Sequence, residues 1–250
     1  MTPDLDSLPL GPHRLYFRDR RATEETLAEV FGGDDYVFRS ERAEPYIIDG
    51  GANIGISVLY FRQRHPTSRI VAFEPDPVSL AVLRHNIAAN GIEGVTVIDA
   101  ALGADDGEGL LWGDHAVPDS RGFSLLPEWG RQGDGASGHP VRTVSLRSWL
   151  DQPCDFLKLD IEGAEYDVLA SIADLLPRVE ALCVECHEVR GLDRVPQTLR
   201  LLEAAGLCAS IIDKDLLRFL PDHHLAWARE GGASLKVLRG RRDRHHHLPT

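Results

Sequence analysis

Residues 45–55 read PYIIDGGANIG, an apolar run that ends in Asp49 and passes directly into a glycine-rich turn. The run is short, apolar on both faces and rich in isoleucine, which is typical of a parallel strand covered on both sides. Gly51 and Gly55 then give the backbone the freedom for a tight turn into a helix. We therefore predict a strand–turn–helix unit here, as the start of an α/β fold.

The same pattern recurs along the chain, because further short apolar runs alternate with helical patterns. The additional predicted strands cover residues 69–74, 95–99, 155–160, 181–185 and 207–212, and the predicted helices cover 76–90, 164–176 and 197–205. Strand–helix alternation of this length predicts a doubly wound α/β sheet. In such sheets, ligands bind beyond the carboxyl ends of the strands.

Composition divides the chain into segments. Residues 45–238 hold the strand–helix alternation, and residues 1–44 form a polar N-terminal cap segment with one weak helical stretch. Residues 114–140 are rich in Gly, Ser, Pro and Asp, and the stretch is long enough to predict a lid-like loop over an active site. Residues 239–250 are basic and histidine-containing, and we predict a flexible tail there.

The charge balance excludes several classes of partner. The 250-residue chain carries 39 Asp and Glu against 27 Lys and Arg, a formal net charge of −12 at pH 7. Such an excess opposes binding to nucleic-acid phosphates and to anionic membrane surfaces. No run approaches the ~20 apolar residues of a membrane span, and the N-terminus lacks the features of a signal peptide. With its four cysteines interpreted as free thiols, the protein is expected in the cytoplasm.

Acidic residues recur at the ends of the predicted strands. In chain order they are Asp49, Glu74, Asp99, Asp160 and Glu185. Carboxylates held at one edge of a sheet repel each other unless a cation or a hydrogen-bond donor compensates them. Lys158 faces the same side of its strand as Asp160, so we expect it to pair with a neighbouring carboxylate. The row as a whole predicts a ligand that is positively charged or rich in hydroxyl groups.

Two cofactors compete for this site. A nicotinamide dinucleotide fold places an acid about 20 residues after its glycines, and Glu74 satisfies that spacing. However, the turn is not G-x-G-x-x-G, and Asp49 would stand beside a dianionic pyrophosphate. S-adenosylmethionine has a sulfonium and an amino group to pair with carboxylates, ribose hydroxyls for Glu74, and no phosphate. The sequence therefore favours S-adenosylmethionine.

Four motifs together resemble those of the FkbM-type S-adenosylmethionine-dependent methyltransferases. They are DGGANIG at 49–55, FEP at 73–75, KLDIEGAE at 158–165 and VECH at 184–187. The resemblance implies a class I methyltransferase fold, which is a Rossmann-like, doubly wound seven-stranded sheet with one antiparallel strand. Residues 225–229 are the predicted last strand of that sheet.

The resemblance also implies a set of cofactor-binding residues. These are Asp49, Gly51, Asn53, Gly55, Glu74, Asp99 and Ala100. Asp49 and Gly51 would hold the methionine part of the cofactor, while Glu74 would accept hydrogen bonds from the ribose hydroxyls. Asp99 would meet the adenine, with the backbone of residues 100–101 as the alternative, because a strand-end Asp is often only a turn cap.

Methyl transfer requires an acceptor atom aligned about 3 Å from the methyl group, and a hydroxyl acceptor also needs a base or a metal. The predicted catalytic residues are Asp160 for contact with the acceptor, His187 as the base, and Glu162. Alternatively, His187 is a structural histidine, and Glu162 is a first-turn acid that the helix dipole favours, as we expect of Glu165. A divalent metal, Mg or Mn, on Asp160, Glu185 and His187 is a further alternative.

We predict an S-adenosylmethionine-dependent methyltransferase that methylates a hydroxyl of a sugar or a secondary metabolite, a substrate range that the resemblance implies. N-methylation of a small-molecule amine, an NAD-dependent oxidoreductase and a non-catalytic cofactor-binding module are the alternatives. The predicted partner is a small-molecule acceptor, with no nucleic acid and no membrane, and the question of a homo-oligomer stays open. Aromatic side chains are expected to recognise the acceptor, and the candidates are Tyr16, Tyr36, Phe38, Phe123 and Trp129.

Overall fold

The computed structural model describes residues 5–113, 121–130, 136–189, 194–213 and 233–242. Its strands are β1 Asp6–Leu10, β2 His13–Phe17, β3 Tyr46–Gly50, β4 Arg69–Phe73, β5 Val95–Ile98, β6 Ala101–Leu102, β7 Gly107–Gly113, β8 Ser137–Val144, β9 Phe156–Leu159, β10 Ala181–Val189, β11 Leu207–Asp213 and β12 Ala233–Arg242. Its α-helices are α1 Arg20–Gly32, α2 Ile56–Arg64, α3 Pro77–Ala89, α4 Pro127–Gly130, α5 Glu165–Ser171 and α6 Arg194–Ala204. None of these described helices combines the length and the apolar character that a membrane crossing requires.

A seven-stranded sheet with the order β11-β12-β10-β9-β3-β4-β5 forms the centre of the molecule. β12 runs antiparallel to both of its neighbours, and the remaining pairs are parallel. The predicted doubly wound, mostly parallel sheet with one antiparallel strand is therefore confirmed. Residues 225–229, the predicted antiparallel strand, lie outside the described residues, and β12 holds that place in the sheet.

Hydrophobic side chains cover both faces of this sheet. Ile48 and Leu157 belong to one buried cluster with residues of α5 and α6, whereas Ile47 and Phe156 belong to a second cluster with residues of α2 and α3. Neighbouring residues of a strand point to opposite faces. A strand buried on both sides is therefore apolar throughout, which is the pattern that identified β3 in the sequence.

The predicted tail at 239–250 is wrong at its start, because β12 continues to Arg242. Arg241 pairs with Ala181 of β10 and with Cys208 of β11. Arg242 donates hydrogen bonds to the carbonyl oxygens of Leu176 and Ala205, at 2.7 and 2.9 Å. The basic residues that indicated a solvated tail thus belong to the central sheet, and the domain boundary predicted at 238 falls inside a strand.

The segment predicted as a lid-like loop, 114–140, contains regular structure in its described part. α4 lies inside it, and β8 begins at Ser137. β8 pairs with β7 and with the short strand β6 in a second sheet, which the sequence did not predict. Glycine and proline within β8 concealed its strand character, because both residues are depleted in strands.

The N-terminal hairpin of β1 and β2 is fastened to α3 by two asparagines one helical turn apart. The amide of Asn86 accepts a hydrogen bond from the backbone N–H of Tyr16 (2.7 Å) and donates one to its carbonyl oxygen (2.9 Å). Asn90 does the same with the backbone of Arg14, at 2.7 Å for each bond. Asn86 also donates to the carbonyl oxygen of Ile54 at 2.8 Å, so it joins the hairpin to the glycine-rich turn.

Candidate active site

The glycine-rich turn after β3 crosses the end of β9 at very close range. Gly51 has a φ of +76°, and a Cβ atom at that position would lie 1.8 Å from the carbonyl oxygen of Asp160. Gly55 has a φ of +94°, and its Cβ would lie 2.7 Å from a methyl carbon of Leu83. Because only glycine fits both conditions, these two residues shape the turn as the sequence predicted. Asn53 adopts a φ of +46° between them.

An open cavity lies at the carboxyl ends of β3, β4, β9 and β10. Its volume is about 1190 Å³, a figure that includes the open space at its mouth. The described wall includes the glycine-rich turn together with Glu74, Ala100, Ala101, Asp160 and His187. Its place beyond the strand ends agrees with the general position of ligands in open α/β sheets.

Glu74 is enclosed at one end of this cavity and is 6% exposed. Its Oε2 accepts a hydrogen bond from the backbone N–H of Asn53 (2.7 Å), and its Oε1 accepts one from the N–H of Asp76 (2.8 Å). Burial raises the pKa of Glu74 to about 8, although both backbone hydrogen bonds favour the carboxylate. In its ionised form the buried Glu74 side chain is suited to accept the hydrogen bonds of two adjacent hydroxyl groups, and such bonds would in turn favour the ionised form.

Asp49 lies behind the cavity wall and is fully buried. Its Oδ2 accepts a hydrogen bond from the hydroxyl of Ser57 at 2.6 Å, and its Oδ1 is 3.3 Å from the ammonium of Lys158. Among the described residues of this region, Gly51 and Asn53 line the cavity instead. Asp49 therefore acts on the cavity through Lys158.

Lys158 ties the end of β9 to the glycine-rich turn. Its ammonium donates hydrogen bonds to the carbonyl oxygens of Gly50 (3.0 Å) and Gly51 (2.9 Å), and it lies 3.5 Å from Oδ2 of Asp160. Burial disfavours the charged form, but Asp49, Asp160 and Glu185 outweigh burial and raise the pKa of Lys158. The predicted pairing of Lys158 with neighbouring carboxylates is confirmed.

The structure separates Asp99 from the other strand-end acids. Its side chain is 60% exposed and lies 3.9 Å from the guanidinium of Arg84. Ala100 and Ala101 line the cavity at this position, so the site geometry favours the backbone alternative over the Asp99 carboxylate. A carboxylate at the end of a strand can point into the cavity or away from it, and the sequence does not distinguish the two.

A cluster of acids surrounds His187 at the opposite end of the cavity. The Nε2 atom of His187 lies 3.5 Å from Oε2 of Glu162 and 3.9 Å from Oδ1 of Asp160. Burial opposes the charged imidazole, but Glu162, Glu165 and Asp160 outweigh burial and raise the pKa of His187 well above its ordinary value. This direction of shift favours the charged imidazole in the free site.

The alternative of a first-turn acid does not fit Glu162, which lies before α5, whereas Glu165 does lie in the first turn of that helix. Burial raises the pKa of Glu162 to about 8, and its backbone has a φ of +56°. Glu165 is 2% exposed, and its Oε1 lies 2.9 Å from Nδ1 of His187. Glu165 is thus a first-turn acid of α5, as predicted, and it is also buried in contact with His187, which the sequence did not predict.

The ligand atoms proposed for a metal, on Asp160, Glu185 and His187, all lie within 4.8 Å of one another. However, each group already has a compensating partner. Lys158 lies 3.5 Å from Asp160, and the hydroxyl of Tyr36 donates a hydrogen bond to Glu185 at 3.2 Å. Nδ1 of His187 lies 2.9 Å from Oε1 of Glu165. The donor set therefore fits a charge-compensated network better than a cation site.

Part of the cavity lies outside the predicted cofactor residues, between α1 and residues 121–125. One side of this part is polar, with Thr26, Glu29 and Arg121, and the other side is apolar. The apolar wall consists of Val30, Leu111, Phe123 and Leu125. The sequence did not identify the α1 residues, although Thr26, Glu29 and Val30 have the spacing of one helix face.

Of the aromatic candidates for acceptor recognition, Tyr36 and Phe123 line the cavity. The ring of Trp129 contacts that of His187, with centroids 5.0 Å apart. Tyr16 of β2 packs edge-on against His85 of α3. Phe38 stacks on His65 and Phe156 in the core. Tyr16 and Phe38 therefore have a packing role.

Comparisons with known proteins identify relatives of this arrangement. The family model described as the methyltransferase FkbM domain matches residues 49–227. The methyltransferase sdnD of Sordaria araneosa is 30% identical over 223 residues, which are 78% of this chain and 84% of that protein. The 31-O-demethyl-FK506 methyltransferase FkbM of Streptomyces tacrolimicus is 27% identical over 235 residues, which are 82% and 89% of the two chains.

A solved structure shares the fold. The crystal structure of a methyltransferase FkbM from Methylobacillus flagellatus matches with a TM-score of 0.50 and 16% sequence identity. The match covers 79% of this chain and 44% of that chain. At this level of identity the likeness supports the architecture alone.

Proposed function

The chain belongs to the FkbM methyltransferase family, and from this premise we propose that it methylates a hydroxyl oxygen of a small molecule, a sugar or a secondary metabolite. Family membership makes it an S-adenosylmethionine-dependent methyltransferase, which removes the oxidoreductase alternative. One observation carries the proposal of a hydroxyl acceptor. Asp160, Glu162 and His187 face the same cavity as the glycine-rich turn and Glu74.

The residues present fit S-adenosylmethionine. Glu74 offers a buried carboxylate for the ribose hydroxyls, and Ala100 and Ala101 offer a small wall for the adenine. Gly51 lets the turn pack against the carbonyl oxygen of Asp160, and its backbone lines the cavity where the methionine part would lie. When bound, the cofactor supplies a methyl group on a sulfonium, an electrophile that needs alignment rather than further activation.

Asp160 and His187 are the residues that we propose to act on the acceptor. Asp160 contacts the acceptor and orients it, so that the single proton of the reacting hydroxyl points at Nε2 of His187. Neutral His187 would take that proton as the oxygen is methylated. The positive charge of a bound sulfonium lowers the pKa of a neighbouring imidazole, so we expect cofactor binding to favour this neutral form.

The shape of the acceptor region supports an amphipathic substrate. Its apolar wall of Val30, Leu111, Phe123 and Leu125 suits a hydrophobic body, and Thr26, Glu29 and Arg121 suit hydroxyl groups. The name of one relative, 31-O-demethyl-FK506 methyltransferase, supports oxygen as the acceptor atom. The four free cysteines agree with action in a reducing compartment such as the cytoplasm.

Mass spectrometry tests this proposal. Wild-type protein with S-adenosylmethionine should add one CH2 to hydroxylated metabolites in a screening panel. Asp160→Asn should lower turnover by at least about 100-fold and leave cofactor affinity within about tenfold, because the contact is made to the acceptor. Asp167→Asn, in an exposed acid of α5, is the matched control and should keep wild-type turnover.

Four results would contradict the proposal or one of its parts. Full turnover of Asp160→Asn would remove that residue from the reaction, and transfer to amines alone would establish N-methylation. Cofactor binding without any transfer would indicate the non-catalytic module. Loss of turnover on dialysis against EDTA, restored by Mg or Mn, would place a metal on Asp160, Glu185 and His187.

A further inference from the structure

We propose that Glu165 is a positioning residue that fixes the ring orientation and the tautomer of His187. The proposal rests on the proposed role of His187 in accepting the hydroxyl proton. Glu165 lies at the start of α5, faces away from solvent and contacts the imidazole on the edge opposite the cavity.

The carboxylate of Glu165 holds two parts of the site at once. Its Oε1 accepts hydrogen bonds from the backbone N–H groups of Ile161 (3.2 Å) and Gly163 (2.9 Å), and its Oε2 lies 3.1 Å from the same N–H of Gly163. The same Oε1 lies 2.9 Å from Nδ1 of His187 on β10. One buried side chain therefore joins the turn after β9 to the end of the neighbouring strand.

The turn that Glu165 holds has an unusual backbone. Glu162 has a φ of +56° and Gly163 a φ of +109°, and a non-glycine residue in the left-handed region costs energy that surrounding contacts must offset. Besides Glu165, the hydroxyl of Ser124 donates to the carbonyl oxygen of Glu162. These contacts keep the carboxylate of Glu162 3.5 Å from Nε2 of His187.

The contact at Nδ1 decides which imidazole nitrogen can work as a base. A carboxylate only accepts hydrogen bonds, so Nδ1 must carry a proton in both the charged and the neutral ring. In the neutral ring Nε2 is then the atom with the free lone pair, and Nε2 is the atom on the side of Asp160 and Glu162. Without the carboxylate, the neutral ring would also populate the form with its proton on Nε2, which cannot accept a proton there.

The first test is the tautomer itself, measured by 15N NMR of the imidazole in the full chain. Comparison with a His187→Gln spectrum assigns the signal among the 11 histidines. At a pH high enough to neutralise the ring, wild type should show the proton on Nδ1, and Glu165→Ala should show a mixture. A wild-type tautomer in Glu165→Ala would overturn the proposal. Glu203→Ala, in an exposed glutamate of α6, is the control and should match wild type.

Kinetics supply the second test. Glu165→Ala should lower kcat by about 100-fold or more, with the KM for the acceptor and the cofactor affinity within about threefold, since the loss lies in the proton transfer. Glu165→Gln keeps an acceptor for Nδ1 and loses only the charge, so we expect a smaller loss of about tenfold. A purely structural role predicts equal losses of cofactor affinity and kcat, and wild-type kcat in Glu165→Ala would overturn the proposal.

The dependence of kcat on pH distinguishes the effect of the charge of Glu165 from the effect of its shape. Four acids lie on or near the ring of His187, namely Asp160, Glu162, Glu165 and Glu185. Glu165→Gln removes one negative charge beside the ring, which should lower the pKa of His187. The rise of kcat with pH should therefore occur at a lower pH in this variant than in wild type. If Glu165→Ala fails to fold, Glu165→Gln decides alone, and a kcat and profile equal to wild type would overturn the proposal.

Failure of the proposed function is distinguishable from failure of this inference. If wild type methylates no hydroxyl but its tautomer depends on Glu165, the positioning role stands and the proposed acceptor is wrong. If wild type methylates hydroxyls and Glu165→Ala keeps both the tautomer and the rate, only the positioning role is wrong.

Discussion

Glu74 and Asp99 follow neighbouring strands, yet one is enclosed and the other is exposed, so they form a natural pair for a test. Glu74→Gln should weaken the binding of S-adenosylmethionine by about 1–3 kcal/mol, through the loss of charge-assisted hydrogen bonds to the ribose. Isothermal titration calorimetry measures this change directly. The amide oxygen of Gln can accept from only one of the two backbone N–H groups, of Asn53 and Asp76, that donate to Glu74, so the variant also loses one hydrogen bond to the protein.

Asp99→Asn is the matched control for this prediction. Because its side chain is 60% exposed and lies beside Arg84, we expect its cofactor affinity to equal that of wild type. An equal weakening in the two variants would mean that the effect comes from charge at the sheet edge rather than from a ribose contact. Wild-type affinity in Glu74→Gln would remove Glu74 from the cofactor site.

The strand-end acids show which properties of single residues could be predicted from the sequence and which could not. The sequence identified acids at or near the ends of the strands, because strands end where apolar runs end, but not their order across the sheet. Asp49 faces inward to Ser57 and Lys158, whereas Asp99 faces solvent. A shift of one residue reverses the face of a strand, and the apolar runs do not locate strand ends to one residue. Burial of Glu165 was missed because its partner, His187, is distant in sequence.

At the scale of elements, α3 supports both the hairpin and the cofactor turn. Asn86 is 1% exposed and bonds to Tyr16 and to Ile54. Asn86→Ala should lower the free energy of unfolding by about 2–4 kcal/mol, because it leaves several buried backbone groups without a partner. It should also weaken cofactor binding severalfold through the loosened turn. Chemical denaturation and calorimetry measure the two effects.

Asn90→Ala is the control, because Asn90 makes the same type of contact to β2, while its hydrogen bonds go to Arg14 and Asn86 rather than to the glycine-rich turn. We expect a loss of about 1 kcal/mol in unfolding free energy at this half-buried site and wild-type cofactor affinity. Equal cofactor affinity in both variants would show that the hairpin and the turn are independent.

The helical pattern of α3 was predictable from its apolar face and its Asp76 cap, whose side chain accepts a hydrogen bond from the N–H of Ser79. The role of its asparagines was not. Two asparagines one turn apart are typical of a solvated helix face. Their role depends on hydrogen bonds to the backbone of β2, which the sequence of α3 does not reveal. The second sheet was missed for a related reason, since β8 gains its strand character from pairing with β7 rather than from its own propensity.

At the scale of the whole molecule, two segments distant in sequence close the acceptor region. Arg121 precedes α4, and its guanidinium lies 2.7 Å from a carboxylate oxygen of Glu25 on α1 and 3.4 Å from the hydroxyl of Thr26. Arg121 is 17% exposed and lines the cavity. A partly buried ion pair at this position holds the polar wall of the acceptor region in place. It therefore links the cap segment 1–44 to the segment predicted as a lid.

We expect charge reversal to reveal this link. Arg121→Glu and Glu25→Arg should each raise the KM for the acceptor by about five- to tenfold, since each places two like charges in contact. Both should leave the cofactor affinity unchanged, because the pair lies away from Glu74 and the glycine-rich turn. The double variant restores the opposite charges in exchanged positions and should return the KM to within about twofold of wild type, a coupling that only contacting residues show.

Steady-state kinetics at saturating S-adenosylmethionine measure these values with the acceptor found in the mass-spectrometric screen. Arg147→Glu is the control, because Arg147 pairs with Asp174 at 2.7 Å on an exposed surface, and its KM should match wild type. If the effects of Arg121→Glu and Glu25→Arg simply add in the double variant, the two segments act independently. The cap and the 121–125 segment would then recognise the acceptor as separate walls rather than as one closed chamber.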